Sequence, residues 1–110
     1  MGTLEVGTRK VFEDDRVIVW HLDLAPGEQG ELHTHHRDYV ARIVSGGTVE
    51  VCGPEGETLY TVTRVPGDAI AFRVEGDQIV ASGRDAPIPA THSVRNIGDT
   101  PFQEVLVEFK

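Results

Sequence analysis

Hydrophobic residues recur with a period of two along most of the chain. In residues 16–24, RVIVWHLDL, alternate positions are large and apolar, and successive side chains of a strand point to opposite faces. One face therefore carries Ile18, Trp20, Leu22 and Leu24. Residues 102–109 alternate as well, with Val105, Val107 and Phe109 on one face and Glu104, Leu106 and Glu108 on the other. Both segments are predicted to be β-strands.

Turn signals divide the rest of the chain into short runs. Gly- and Pro-rich stretches lie at 26–30, 53–56 and 66–68, and Gly46-Gly47 is predicted to be a hairpin turn between strands at 39–45 and 48–52. No segment of useful length has a helical period. This pattern predicts an antiparallel sandwich or small barrel. Residues 75–89 lack clear periodicity and are predicted to form a long loop that holds a short strand at 78–82.

Length and composition indicate one domain spanning residues 1–110. A chain of 110 residues, with 39% hydrophobic and 25% charged residues, is typical of a single globular domain. No apolar run approaches the roughly 20 residues of a membrane span. The lone cysteine, Cys52, cannot form an internal disulfide, which favours a reducing compartment and hence the cytoplasm.

The net charge of −8 argues against nucleic acid and against anionic membrane surfaces as partners, since both attract excess Lys and Arg. The charge does not by itself identify a partner, and the small-molecule partner that we expect follows from the histidines.

Three of the five histidines fall within residues 33–36. On a strand His33 and His35 share a face, whereas His36 points to the opposite one. Two imidazoles in one volume suit a divalent metal, because neutral imidazole is a good ligand. The alternative is a pair of surface or hydrogen-bonded histidines. For His21, on a strand, a structural role is expected.

Two stretches resemble the two signatures of the cupin superfamily. Gly27, His33, His35, position 39 and Gly46 have the spacing of the first signature, and His92 with Asn96 has that of the second. The resemblance covers residues 10–109. It implies an all-β, antiparallel jelly-roll barrel with a divalent metal bound by His33, His35 and His92.

The sequence departs from the cupin pattern at its acidic ligand. Tyr39 occupies that position, or Val40 does if the spacing is longer by one residue. Tyr39 is a candidate catalytic acid, base or hydrogen-bond donor; alternatively, its ring only packs over the site. A fourth ligand could come from the loop, with Glu75, Asp77 and Gln78 as candidates.

Three neutral ligands leave the charge of the metal uncompensated, which favours an anionic, oxygen-chelating substrate. The resemblance implies an O2-dependent dioxygenase acting on a small enolisable or diketone-like compound. Alternatives are a metal-assisted isomerase or polyketide-type cyclase, a non-enzymatic metal- or metabolite-binding module, and a scaffold with a vestigial site. Imidazole ligands do not distinguish Fe, Zn, Ni and Mn.

Two further expectations concern binding surfaces. Arginines that could hold an anionic substrate are Arg42, Arg84 and Arg95. The resemblance also implies a homodimer formed through the outer sheet, for which the apolar face of residues 16–24, with Trp20, is the candidate contact.

Overall fold

The computed structural model describes residues 4–82 and 87–110, and within these ranges every regular element is a β-strand. Their bounds are β1 Arg9–Glu13, β2 Val17–Leu24, β3 His33–Thr34, β4 Tyr39–Ser45, β5 Gly47–Cys52, β6 Thr58–Arg64, β7 Ala69–Glu75, β8 Gln78–Ala81, β9 Ile88–Pro89, β10 Thr91–Asn96 and β11 Phe102–Phe109.

The strands form two sheets that enclose a common core. The larger sheet has the order β1-β2-β11-β4-β7-β8-β9, and the smaller one has the order β3-β10-β5-β6. Every strand pair is antiparallel. The chain passes back and forth between the sheets, so that sequence neighbours such as β4 and β5 lie in different sheets. The predicted all-β, antiparallel jelly-roll fold is confirmed.

The predicted hairpin at Gly46-Gly47 is wrong. The strand before it, β4, pairs with β11 and β7, whereas β5 pairs with β10 and β6. The chain crosses between the sheets here and passes very close to β6: a Cβ atom on Gly46 would lie 2.2 Å from the carbonyl oxygen of Arg64. Only glycine permits that approach, so the pair of glycines marks a sheet crossing and not a turn.

The predicted loop at 75–89 is partly regular. Its expected short strand at 78–82 is confirmed as β8, which pairs with β7 across a turn at Gly76, where φ is 66°. Farther along, β9 pairs with β8. Residues 83–86, which include Arg84, lie outside the described part of the chain.

The apolar face of β2 forms core and not a subunit contact. Trp20 is only 6% exposed, and its Nε1 donates a hydrogen bond to Glu108 Oε1 at 2.7 Å. The expected dimer contact through Trp20 is therefore wrong, because this side chain points between the two sheets.

The glutamate-bearing face of β11 also points inward. Leu106, flanked by Trp20 on β2 and Ala41 on β4, is 4% exposed, and Glu108 is 2% exposed. Strand alternation then turns Glu104 toward the interior as well. Val107, on the outer face, is only partly buried.

Among residues 4–82 and 87–110 there is no helix with the length and apolarity that crossing a membrane requires.

Candidate metal centre

Two neighbouring strands of the smaller sheet bring three histidines together. His33 on β3 lies opposite His92 on β10 in the antiparallel register. His35 follows β3, where its backbone N–H donates to the carbonyl of Ala90 at 2.9 Å. All three side chains are buried, and one nitrogen from each lies within 4.8 Å of the others. The structure therefore assembles the histidines of both predicted signatures into one group, which could hold a metal ion.

The hydrogen bonds of two histidines fix their tautomers. Nδ1 of His33 lies 3.1 Å from the carbonyl oxygen of Glu31, and Nδ1 of His92 lies 2.9 Å from that of Pro89. A carbonyl only accepts, so each Nδ1 carries the proton and each Nε2 keeps its lone pair. Backbone carbonyls orient metal-binding histidines in this way in many proteins.

Burial keeps the imidazoles neutral. It lowers the pKa of His33 to about 4, with the neighbouring His92 as a second cause. Burial likewise lowers the pKa of His92, and that of His35 falls well below its ordinary value, first through burial and then through the other histidines. A neutral imidazole is the form that binds a metal, so no proton competes for these nitrogens at neutral pH.

His35 supplies the test of whether a metal fits. Its Nδ1 is buried and has no hydrogen-bond partner in the described residues. A buried polar atom without a partner costs roughly 1–3 kcal/mol, and three imidazoles at this spacing form a donor set suited to a divalent transition metal. The residues present fit such an ion, with nitrogen ligands only.

Tyr39 lies against the histidine group through its ring. The ring stacks on His35 with a centroid distance of 4.1 Å and on Phe72 at 4.6 Å. Burial, followed by the negative charge of Glu104, raises the pKa of Tyr39 well above its usual value, so the phenol stays protonated. Val40, the alternative at the ligand position, is paired with Val107 on the outer face and does not meet the histidines.

The histidines and Tyr39 line one cavity inside the barrel, with a volume of about 60 Å³. Three polar residues of its wall were not identified from the sequence: Tyr60, Arg64 and Glu104. Burial raises the pKa of Glu104 to about 7, partly opposed by the positive charge of Arg64. The signal that could have found Glu104 is the strand period, which places it on the same face as buried Leu106.

The candidates for a fourth ligand do not reach the cavity. Glu75, Asp77 and Gln78 are exposed around the β7–β8 turn, and none of them lines the cavity. None of these three candidates completes the ligand set, because the chain turns back there on the surface of the larger sheet.

The remaining histidines lie outside the group. His36 is exposed, and it points away from His33 and His35. His21 is half-buried on β2, with its Nδ1 3.3 Å from Arg9 Nη2, which agrees with a structural role.

The cavity is not lined by Arg42, Arg95 or Asn96. Arg42 is exposed, and Arg95 pairs with Glu50 on the surface. Asn96 is fully buried; its Nδ2 donates to the carbonyls of Leu24 and Thr100. It holds the turn before β11 and takes no part in the site.

Comparisons with solved structures identify the fold. A cupin domain from Bordetella pertussis Tohama I matches with a TM-score of 0.70 at 24% identity, covering 100% of this chain and 97% of that one. An RmlC-like cupin family protein with a double-stranded β-helix fold from Methanocaldococcus jannaschii matches with a TM-score of 0.59 at 18% identity, covering 92% and 76%. A cupin 2 conserved barrel domain protein from Salinispora arenicola matches at 0.57 and 17%, covering 93% and 73%.

No family model matches the sequence, and no curated protein has a similar one. The structural likeness shows that the chain has the fold of small cupins, the double-stranded β-helix, as the resemblance in the sequence implied.

Proposed function

We propose that this protein is a metal-dependent enzyme, in which His33, His35 and His92 bind one divalent ion, and that it acts as an O2-dependent dioxygenase on a small enolisable substrate. The observation that carries the proposal is the set of three buried imidazoles. Their nitrogens converge within 4.8 Å, and two of them are oriented by backbone carbonyls. Such an arrangement is costly in a dry core unless something binds to it.

A divalent ion held there supplies Lewis acidity and, in the case of Fe(II), O2 chemistry. The protein supplies the surroundings. The cavity is walled mostly by apolar side chains, which exclude bulk water and strengthen the attraction for an anionic oxygen group. Its volume is about 60 Å³. The substrate is accordingly a small molecule.

Tyr39 is the proposed catalytic side chain. Its ring position is fixed by stacking on His35 and Phe72, and its phenol stays protonated at neutral pH because of burial. It is suited to donate a hydrogen bond to a substrate oxygen beside the histidines.

A metal-assisted isomerase or cyclase is the second candidate. Glu104 favours it, because a carboxyl group with a pKa of about 7 in the same cavity can exchange protons at neutral pH. Such a reaction needs proton transfer and no oxygen.

The first experiment measures the metal content of protein that is purified without a histidine tag or chelator. The matched variants are His92→Ala, which removes one ligand, and His36→Ala, which removes an exposed histidine beside the group. We expect close to one metal per chain in the wild type and in His36→Ala, and less than about a tenth of that in His92→Ala.

The element and the oxygen uptake then separate the candidates. Iron together with substrate-dependent oxygen consumption supports the dioxygenase, whereas a redox-inert metal and no oxygen consumption support the isomerase or cyclase. Metal without turnover of enolisable compounds would leave a binding module. A wild type that takes up no Fe(II), Zn(II), Ni(II) or Mn(II) contradicts the enzyme proposal and favours a scaffold.

We also propose a homodimer in a reducing compartment such as the cytoplasm. Apolar residues on the outer face of the larger sheet form a row across five strands, set by the strand register: Phe12, Val19, Val107, Val40 and Ala71. A second copy placed on this row would cover it. Sedimentation should give twice the chain mass for the wild type and the monomer mass for Val107→Lys. Cys52 is buried and unpaired, which suits reducing conditions.

A further inference from the structure

The cavity has a second polar end, away from the histidines. Along β5, the end at Cys52 pairs with Ser93, the neighbour of His92, whereas the start at Gly47 pairs with Arg64. Arg64 on β6 and His92 on β10 thus lie beside opposite ends of β5, and both line one cavity.

In the larger sheet, β11 likewise has one residue level with Tyr39 and another near the end where Arg64 lies. Glu108 is opposite Tyr39, and Glu104 is opposite Ile43, four residues and about 13 Å farther along the strand. Glu104 therefore enters the cavity from the end where Arg64 lies. Between the two polar ends the wall is apolar, formed by Leu22, Ala41, Val49, Val62, Ile70 and Leu106.

The carboxyl group of Glu104 has unused hydrogen-bonding capacity. In the described ranges, 4–82 and 87–110, no residue donates a hydrogen bond to it or forms an ion pair with it. Burial raises its pKa to about 7, and the nearby charge of Arg64 acts in the opposite direction. An acceptor in an apolar cavity is stabilised when a ligand donates to it.

We propose that Glu104, with Arg64 beside it, is a binding subsite for a hydroxyl or amino group at the far end of the substrate. This rests on the proposed function, in which the oxygen-bearing head of the substrate lies at the histidines. The substrate class is then a short molecule with an anionic oxygen head, an apolar spacer of a few carbons and a hydrogen-bond-donating tail.

The test uses three ligands of nearly equal length with the Zn(II)-loaded protein: butanoate, 4-hydroxybutanoate and 4-aminobutanoate. Calorimetry should show about tenfold tighter binding for a ligand with a donor tail than for butanoate. The hydroxyl and amino compounds separate the two sources of the donor, and a preference for either one supports the subsite.

Two glutamate variants locate the effect. Glu104→Leu should reduce the preference to about one while butanoate still binds; Glu104→Gln, which keeps the volume and one acceptor, should reduce it to about threefold. The matched control is Glu108→Gln, on the same strand face but bonded to Trp20, which should keep the tenfold preference.

Equal binding of all three ligands by the Zn(II)-loaded wild type overturns the subsite and leaves the metal centre intact. A preference that survives in both Glu104 variants also overturns it. Failure of the wild type to take up any metal is a different result, which overturns the proposed function together with the subsite.

Discussion

Glu104 and Glu108 lie on the same inward face of β11, yet their surroundings differ. The Glu108 carboxylate accepts a hydrogen bond from the buried indole N–H of Trp20 at 2.7 Å. Glu104 lines the cavity of the histidines, where burial raises its pKa to about 7. One carboxyl group has its partner within the fold, whereas the other faces a space that a ligand can occupy.

The same contrast separates the whole cavity from the corner formed by Trp20 and Glu108. In the cavity, His35 Nδ1 has no hydrogen-bond partner in the described residues. Buried polar groups that the fold satisfies contribute to stability, whereas a buried polar group without a partner reduces it unless a ligand supplies the partner. The contrast therefore distinguishes structural from functional polar residues, and it can be tested through stability.

The largest expected effect is loss of stability of the metal-free protein in acid. Burial lowers the pKa of His33 to about 4, below the value of about 6.5 in an unfolded chain, and also lowers the pKa of His35 and His92. As the pH falls below 6.5, the unfolded chain binds more protons than the folded one, so the free energy of unfolding decreases until about pH 4. His33 alone accounts for about 3 kcal/mol.

Urea unfolding at a series of pH values measures this loss. Zn(II) should shift it to lower pH, because the ion binds only unprotonated imidazole. His36→Ala, at an exposed position, should behave like the wild type. Titration of Glu104 changes the stability in the opposite direction over the same pH range, so the decisive comparison uses the metal-free Glu104→Gln variant. Equal stability of that variant at pH 7 and pH 4.5 would show that the histidines are not held neutral.

Disruption of the Trp20–Glu108 corner is expected to have the next largest effect. Glu108→Ala leaves the indole N–H of Trp20 without its acceptor and opens a small cavity, so we expect a loss of about 2–4 kcal/mol in unfolding free energy. Glu108→Gln keeps an oxygen acceptor and should lose less than about 1.5 kcal/mol. Metal content should stay at the wild-type level in both, and its loss would argue against two separate regions.

Glu104→Gln should raise the free energy of unfolding at neutral and higher pH, whereas the Glu108 variants lower it. The folded pKa of about 7 lies above the unfolded value of about 4.3. The wild type is therefore free of the cost of the buried charge below pH 4, and it loses stability as the pH rises toward 7. We expect the variant to be more stable than the wild type by roughly 1–3 kcal/mol at pH 8 and equally stable at pH 4. Urea unfolding of both proteins at the two pH values measures the difference.

The sequence predicts the fold and the histidine group for a physical reason. Strand alternation and turn residues are local signals, and they determined the strands. The shared face of His33 and His35 follows from their spacing, whereas His92 was joined to them through the resemblance to the second cupin signature. The sequence could not predict the position of the sheet crossing, because Gly46 has the same local signal in a hairpin as at a close approach to β6.

The sequence also could not predict which face of β11 points into the core. On β11 the more apolar face, with Val105 and Val107, points outward, and the face with Glu104 and Glu108 points inward. Pairing with both β2 and β4 sets that direction, and it depends on strands that are about 60 or more residues distant in sequence. The polar end of the cavity therefore becomes visible only in three dimensions.

Tyr39→Phe is expected to have the smallest effect on stability and the most specific effect on function. Phenylalanine preserves the ring that stacks between His35 and Phe72. Unfolding free energy should change by less than about 1 kcal/mol and metal content not at all. Turnover with the metal bound should fall about 10²-fold or more if the phenol donates to the substrate.

Tyr39→Leu removes the ring as well and is the control for packing, since it should lose stability and also disturb His35. Unchanged turnover in Tyr39→Phe would assign Tyr39 to the structural class with Glu108, and its ring would then serve only to hold His35 in place.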